Sequence, residues 1–297
     1  MNLLSLLACP RCRSALAEEG DSLWCAGCHH SFDVLNGIPA LTDARVRSDP
    51  SLAAEWAAQH YALPEYLGDS VSNAWYDLAL PRVLAAARES SQRGVTLDLG
   101  CGVGKLGKAS ASAPPGSRLD PLVGVDFQRE LIERATVGYA CRIEADMHVL
   151  PLRSASVRTI IAANTLHHAA DPARAVAEAA RVLEPGGTIV LYDPRKVTPL
   201  EHAKKILRRN RADFTQEHRA FRADDLRGYC EASGLSVACA EAVDPLGPLV
   251  AAGLDLLGGG KTGLAGPMAR CLVALDGALV RRLATGLMLM VVATKPR

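Results

Sequence analysis

The stretch GVTLDLGCGVGKL (94–106) decides how this chain folds. Val95, Thr96, Leu97, Asp98 and Leu99 have the composition of a short strand buried on both faces, with an acid near its end. Gly100, Gly102 and Gly104 follow at alternate positions, and a helix is expected from Lys105. A strand, a glycine turn and a helix start make a cradle. Glycines let the backbone approach a ligand, and the first helical turn offers free N–H groups. The loop is not a P-loop, because no Gly-Lys-Ser/Thr ends it. Nor is it the dinucleotide G-x-G-x-x-G, whose third glycine stands one residue later.

Four further strand patterns follow this loop. PLVGVDF (121–127) ends on Asp126, 28 residues after Asp98. A carboxylate there can accept both hydroxyls of a ribose and would repel a 2′-phosphate. Phe127 can lie on an adenine face. CRIEADM (141–147) brings Asp146, placed to accept from an adenine amino group, and Met147. VRTIIAAN (157–164) ends on Asn164 and leads into Thr165, Leu166, His167 and His168. Asp171 and Pro172 form an N-cap and first-position pair for an amphipathic helix over 173–183, stopped by Pro185-Gly186-Gly187. TIVLYD (188–193) is the fifth strand, and 235–243 and 287–294 are expected as the last two.

The N-terminus carries separate chemistry. Cys9-Pro-Arg-Cys12 and Cys25-Ala-Gly-Cys28 are two C-x2-C knuckles with twelve residues between them. Four thiolates at that separation suit one tetrahedral zinc. A unit of about 40 residues has too little core to stand alone, so a structural metal would supply folding energy directly. A redox C-x-x-C is disfavoured, because no βαβ pattern surrounds either pair. His29 and His30 adjoin the fourth cysteine, but four thiols already suffice. The chain has nine cysteines. An odd count argues against a disulfide framework, and Cys101, Cys141, Cys230, Cys239 and Cys271 read as small buried hydrophobes.

The ordered series LDLGCGVGKL (97–106), VGVDF (123–127), ADMHVLPL (145–152), NTLHH (164–168) and ARVLEPGGTIVLYDP (180–194) resembles the class I S-adenosylmethionine-dependent methyltransferases. The likeness is greatest to the branch that includes the quinone-biosynthesis and small-molecule enzymes. LLACPRC, CAGC and FDVLNGIPAL resemble the zinc-ribbon module in front of some bacterial methyltransferases, including rRNA guanine methyltransferases. The resemblance implies an α/β fold: a doubly wound, mostly parallel, Rossmann-like sheet of seven strands behind a small zinc ribbon. It implies S-adenosylmethionine as cofactor. Gly100, Gly102 and Gly104 would back its methionine part, with Asp98 near the amino group. Asp126 would hold the ribose. Phe127, Asp146 and Met147 would frame the adenine, and Asn164 would line the cofactor near the sulfonium. The family usually has an aromatic and an Asp before its fourth strand, where this chain has Val157 and Arg158.

The rest must choose the substrate. Three units are expected: a ribbon over 1–43, a helical cap or linker over 44–93, and a core over 94–297. The core carries a lid at 194–221 and a Gly-rich apolar insertion at 244–284. The linker should hold helices at 51–62 and 74–90, starting at Asp49-Pro50 and Asn73. Trp56, Tyr61, Tyr66, Trp75 and Tyr76 either pack these helices on the core or wall the substrate pocket. Segment 195–211 carries seven basic residues and Glu201, which reads as a solvated helix, a phosphate site or an RNA contact. His168, then His167, are candidate general bases, and His218 belongs to the lid. The N-P-P-[YF] motif that holds an amino nitrogen in this superfamily is absent. That favours an oxygen or carbon nucleophile.

Composition bounds the partners. The chain's 33 basic and 32 acidic residues leave a net charge of +1, so no global field draws it to nucleic acid. Aromatics at 4% make a poor base-stacking platform. No apolar run reaches the ~18 residues of a spanning helix, and Met1 to Cys9 lack the basic region of a signal peptide. Arginine outnumbers lysine 26 to 7, a codon bias of GC-rich bacteria. The expectation is a cytoplasmic methyltransferase of bacterial secondary metabolism, acting on a small lipophilic metabolite. An rRNA guanine methyltransferase that binds RNA through ribbon and basic helix is the alternative.

Overall fold

A computed structural model describes residues 3–42, 70–90, 94–197, 219–256, 265–283 and 286–297. The expected helix at 51–62 with Trp56, Tyr61 and Tyr66, most of the basic segment 195–211, and His218 lie outside the described residues.

The ribbon is an antiparallel sheet in sequential order: β1 (Ala17–Glu19), β2 (Ser22–Cys25), β3 (His30–Leu35) and β4 (Ile38–Pro39). Asn36 and Gly37 join β3 to β4 at φ 53° and 71°. A two-residue Asn-Gly turn with both φ positive matches the twist of a hairpin.

The core sheet holds β5 (Thr96–Leu99), β6 (Leu122–Asp126), β7 (Cys141–Glu144), β8 (Val157–Ala163), β9 (Leu183–Pro194), β10 (Ser236–Val243) and β11 (Met288–Thr294). Their order is β10-β11-β9-β8-β5-β6-β7. β11 runs antiparallel to both its neighbours, and the other pairs are parallel. All seven expected strands are present. β9 begins earlier than TIVLYD, because Leu183 pairs with Val157 before a register shift carries the pairing to Thr188. Every residue of β5 and β6 is buried. The chain thus meets water at the strand ends, where the glycine loop lies.

The helices are α1 (Val71–Ser90), α2 (Lys105–Ala111), α3 (Arg129–Ile132), α4 (Pro172–Val182), α5 (Ala223–Ala232), α6 (Gly247–Leu256) and α7 (Ala265–Leu283). In α4, Asp171 accepts from the Arg174 N–H at 3.0 Å, the expected cap. By contrast, α1 starts two residues before Asn73. Its capping acceptor is distant in sequence: the Asp255 carboxylate takes the Val71 and Ser72 N–H groups at 2.6 and 3.0 Å. The apolar insertion therefore forms two helices packed on α1. Asp276 of α7, fully buried, accepts from the amides of Leu246 and Gly247 at the head of α6 and lies 3.3 Å from the Trp75 indole nitrogen. At the expected lid, the Lys196 N–H donates to Phe221 O and the Phe221 N–H to Pro194 O, so the two ends of that segment lie side by side.

Ribbon and core share one interior. Leu6, Leu7, Leu23, Phe32 and Leu41 pack in the same apolar cluster as Ile143, Leu150 and Leu152. Backbone bonds close the joint: Ala8 N–H to Pro151 O, Arg153 N–H to Leu6 O and Leu41 N–H to Glu144 O, at 2.8–3.0 Å. The last of these lies on the outer edge of β7, an edge otherwise open to pairing. The scattered cysteines divide. Cys101 and Cys230 are buried and Cys141 and Cys239 half-buried, but Cys271 is exposed on α7, against expectation.

Candidate active site

β5 ends at Leu99 and the chain turns sharply. Gly100, Gly102 and Gly104 all have positive φ, at 76°, 49° and 82°. At Gly100 a Cβ would lie 1.8 Å from the Thr165 hydroxyl. The glycine loop thus interlocks with the turn that follows β8. Gly104 backs onto Ala135, where a Cβ would lie 2.8 Å from the Ala135 Cα.

Two acids converge on this loop. Asp126, the last residue of β6, accepts from the Gly102 N–H at 2.8 Å and the Gln128 N–H at 2.9 Å. Burial raises its pKa, and the amides of Gln128, Gly102 and Phe127 oppose the rise. Asp98 is fully enclosed and accepts from the Tyr139 hydroxyl at 2.5 Å. Burial pushes its carboxyl up to about 7, and the nearby Asp126 charge adds to this. Tyr139 was not legible in the sequence, because it stands in an irregular stretch without periodicity. Its hydroxyl also accepts from the Gly107 N–H at 3.2 Å, which braces α2 against Asp98.

Two cavities flank the loop. The larger, about 390 Å³, is lined by Asp98, Gly100, Gly102 and Asn164, and across from them by Trp75, Tyr76, Leu249 and Met288. The smaller, about 70 Å³, is lined by Asp126, Phe127, Met147, Asn164 and His168. Gly100, Gly102 and Asn164 border both. The structure therefore gathers Asp98, Gly100, Gly102, Asp126, Phe127, Met147, Asn164 and His168.

Three expected residues stand apart from both cavities. Gly104 turns the chain into α2. Asp146 places Oδ1 2.7 Å from the His148 amide and 2.6 Å from its ring, so it braces a local turn. His167 is buried against Asp193, with Nδ1 2.8 Å from Oδ1. Neither His167 nor His168 lines the larger chamber, where a base was expected: the turn carries His168 to the smaller cavity and His167 into the interior.

The four ribbon cysteines form a compact set. Their sulfurs all lie within 4.8 Å of one another, with Cys9–Cys28 at 3.6 Å and Cys12–Cys25 at 3.3 Å. A tetrahedral zinc with bonds of about 2.3 Å needs sulfurs about 3.8 Å apart, so the donor set fits this metal. Both knuckles fold alike. The Arg13 N–H bonds Cys9 O and the His29 N–H bonds Cys25 O, each at 2.8 Å. Neither His29 nor His30 belongs to the set.

Comparison with known proteins finds two partial family matches. Residues 97–191 match the family described as methyltransferase domain, and residues 2–37 match that described as Trm112p-like protein. An uncharacterized 37.1 kDa protein in transposon TN4556 of Streptomyces fradiae is 40% identical over 104 residues, covering 33% of this chain and 29% of that protein. The Homo sapiens protein named Probable tRNA methyltransferase 9B is 32% identical over 130 residues, covering 43% of this chain and 26% of its own length. This chain thus spans little more than a quarter of these two relatives. A solved complex between the Haloferax volcanii Trm112 methyltransferase activator and a methyltransferase aligns over 85% of this chain and 98% of the other, at 20% identity and a TM-score of 0.53. At that identity the likeness speaks for the fold. Residues 97–191 thus match a methyltransferase domain and residues 2–37 a Trm112p-like module, which together with the four-thiol set support a class I S-adenosylmethionine-dependent methyltransferase behind a zinc ribbon.

Proposed function

We propose that this chain methylates a small lipophilic acceptor at oxygen or carbon. The observation that carries the reading is the wall of the larger chamber. Trp75, Tyr76, Leu249, Ala252 and Met288 line this space of about 390 Å³ together with the glycine loop, with Lys105 and Arg195 as its basic groups. Chambers with mostly apolar walls and a few polar groups select apolar ligands.

S-adenosylmethionine, bound along the loop, supplies an electrophilic methyl group on a cationic sulfur. Asp126 would take its ribose hydroxyls, with Phe127 and Met147 beside the adenine. Asp98 would face its ammonium group, a cation suited to an enclosed carboxylate braced by Tyr139. Methyl transfer is an in-line displacement. Its barrier falls chiefly by aligning nucleophile, methyl and sulfur and by excluding water. No histidine lines the chamber among the described residues. Alignment therefore carries most of the rate.

The ribbon, on this reading, is a built-in scaffold with a structural zinc. It occupies the β7 edge from within the same chain, as the joint through Leu41 and Ala8 supports. The kinship with proteins named tRNA methyltransferase 9B favours a second reading, transfer to RNA. One experiment separates the two: labelled methyl transfer into a cell extract, split into organic, nucleic-acid and protein fractions. Label in the organic fraction is expected. Label confined to RNA, with an affinity that falls steeply with salt, would replace the first reading by the second.

A further inference from the structure

We propose that Asp193 is a positioning residue for this site: from the end of β9 its carboxyl holds the turn after β8 in the shape that presents Asn164, Thr165 and His168 to the cofactor. The inference rests on the methyl-transfer reading above, because it assigns a task within that site.

Strand pairing puts the acid beside the turn. The last rung between β8 and β9 pairs Ala163 with Tyr192, and the Asn164 N–H closes it on Tyr192 O at 2.6 Å. Asp193 is the next residue, with a side chain wholly removed from water. Its Oδ1 accepts from the His167 N–H at 3.1 Å and lies 2.8 Å from His167 Nδ1. The amides of Leu166 and Thr165 also face the carboxyl. Oδ2 is buried and has no hydrogen-bond partner among the described residues.

The turn needs such an anchor. Leu166–His168 is a single 3-10 turn whose N-cap, Thr165, makes no side-chain cap bond. Asn164, before it, has φ 56°, in the left-handed region. A carboxyl gathering successive amides stabilises such a turn, and a charged acceptor does so about twice as strongly as a neutral one. The held residues then reach the site. Thr165 packs where a Cβ of Gly100 would stand, Asn164 borders both cavities, and His168 lines the smaller.

Among the described residues, two histidines stand as ionisable groups beside Asp193. His167 touches it, and the His168 ring lies 3.7 Å behind that of His167, centroid to centroid. Opposite it on β11 stands apolar Leu289. Burial pushes the Asp193 carboxyl up to about 8, against the pull of the three amides. Its anchoring form should therefore fill as the pH rises through that value, while Asp98 titrates lower.

The test is calorimetric binding of S-adenosylhomocysteine, from pH 6 to 9.5, to the zinc-loaded full chain and its Asp193→Asn variant. Asparagine keeps the shape and one acceptor but carries no charge. Wild-type affinity should strengthen through pH 8. The variant should bind about 10–100-fold more weakly, the scale of a misplaced binding group, and lack that step. Asp98 is present in both proteins, so its titration cancels in the comparison. Equal affinity with an unchanged pH profile would overturn the proposal. A wild-type chain that binds no S-adenosylhomocysteine would overturn the methyl-transfer reading along with it. Should circular dichroism show Asp193→Asn unfolded, His167→Gln replaces it: this variant keeps the carboxyl and its amides but removes the ring. The step should then stay near pH 8, because burial and the amides set it; its disappearance would assign it to the imidazole and overturn the proposal.

Discussion

Single residues in the glycine loop set the tightest tolerances. Gly100 joins a positive φ to a space already filled by Thr165. Gly100→Ala should cost at least about 1–3 kcal/mol from backbone strain alone and abolish S-adenosylmethionine binding, as read by denaturant unfolding and calorimetry. Asp126 behaves differently. Its pKa is raised by burial, so the folded chain bears a cost for its charge. Asp126→Asn should leave stability at pH 7 unchanged or higher, yet weaken cofactor affinity about tenfold or more, because one charge-assisted acceptor is lost. A large stability loss with intact affinity would refute that role. Asp98 and Asp126 were legible because the first stands one residue before the end of its strand and the second ends its own, and both strands have plain compositions. Tyr139 and Asp193 were not. The first lies in an aperiodic stretch, and the second acts on a turn 26 residues earlier, through strand pairing that no local pattern announces.

Among the elements, the ribbon and α1 show how local signals and tertiary partners divide the work. The two knuckles were readable from their spacing, and the Asn36-Gly37 hairpin follows from residue chemistry. Where the ribbon sits was not readable. Its apolar residues share a cluster with β7 and the segment after it, so loss of zinc should loosen the core and not the ribbon alone. Stripping the metal with a chelator should lower the melting temperature of the single core transition by several degrees. A core transition that stays put would show the two units to be uncoupled. Helix α1 makes the complementary case. Its start was expected at Asn73, but the acceptor that caps it, Asp255, comes from α6. Asp255→Ala should cost about 1–2 kcal/mol, as loss of a cap does. It should also loosen the wall that carries Trp75 and Tyr76, which fluorescence of a bound apolar probe would report.

At the scale of the whole molecule, burial raises the pKa of several carboxyls, Asp126 and Asp276 among them, and of two others most clearly. Asp98 sits near 7 and Asp193 near 8, against a usual value of 3.8. A carboxyl raised on folding stabilises the chain fully below its unfolded pKa and gives this up as the pH rises through its folded pKa. The cofactor-free protein should therefore lose stability between about pH 5 and pH 9. On the proposed reading S-adenosylmethionine brings a cation to Asp98, so it should restore the Asp98 share of that loss at the alkaline end. Melting curves with and without the cofactor would check this, and a chain most stable at pH 9 without it would contradict it. By itself the sequence determined the doubly wound sheet, the glycine cradle, the acids at strand ends and the four-thiol set. Each of these rests on short-range composition and spacing, which act before the chain closes. Only the tertiary structure decided which side of the loop His168 faces, what Asp146 and Asp193 hold, what caps α1 and where the ribbon seals the sheet. Those outcomes depend on residues far apart in the chain, brought together by burial of a shared apolar interior.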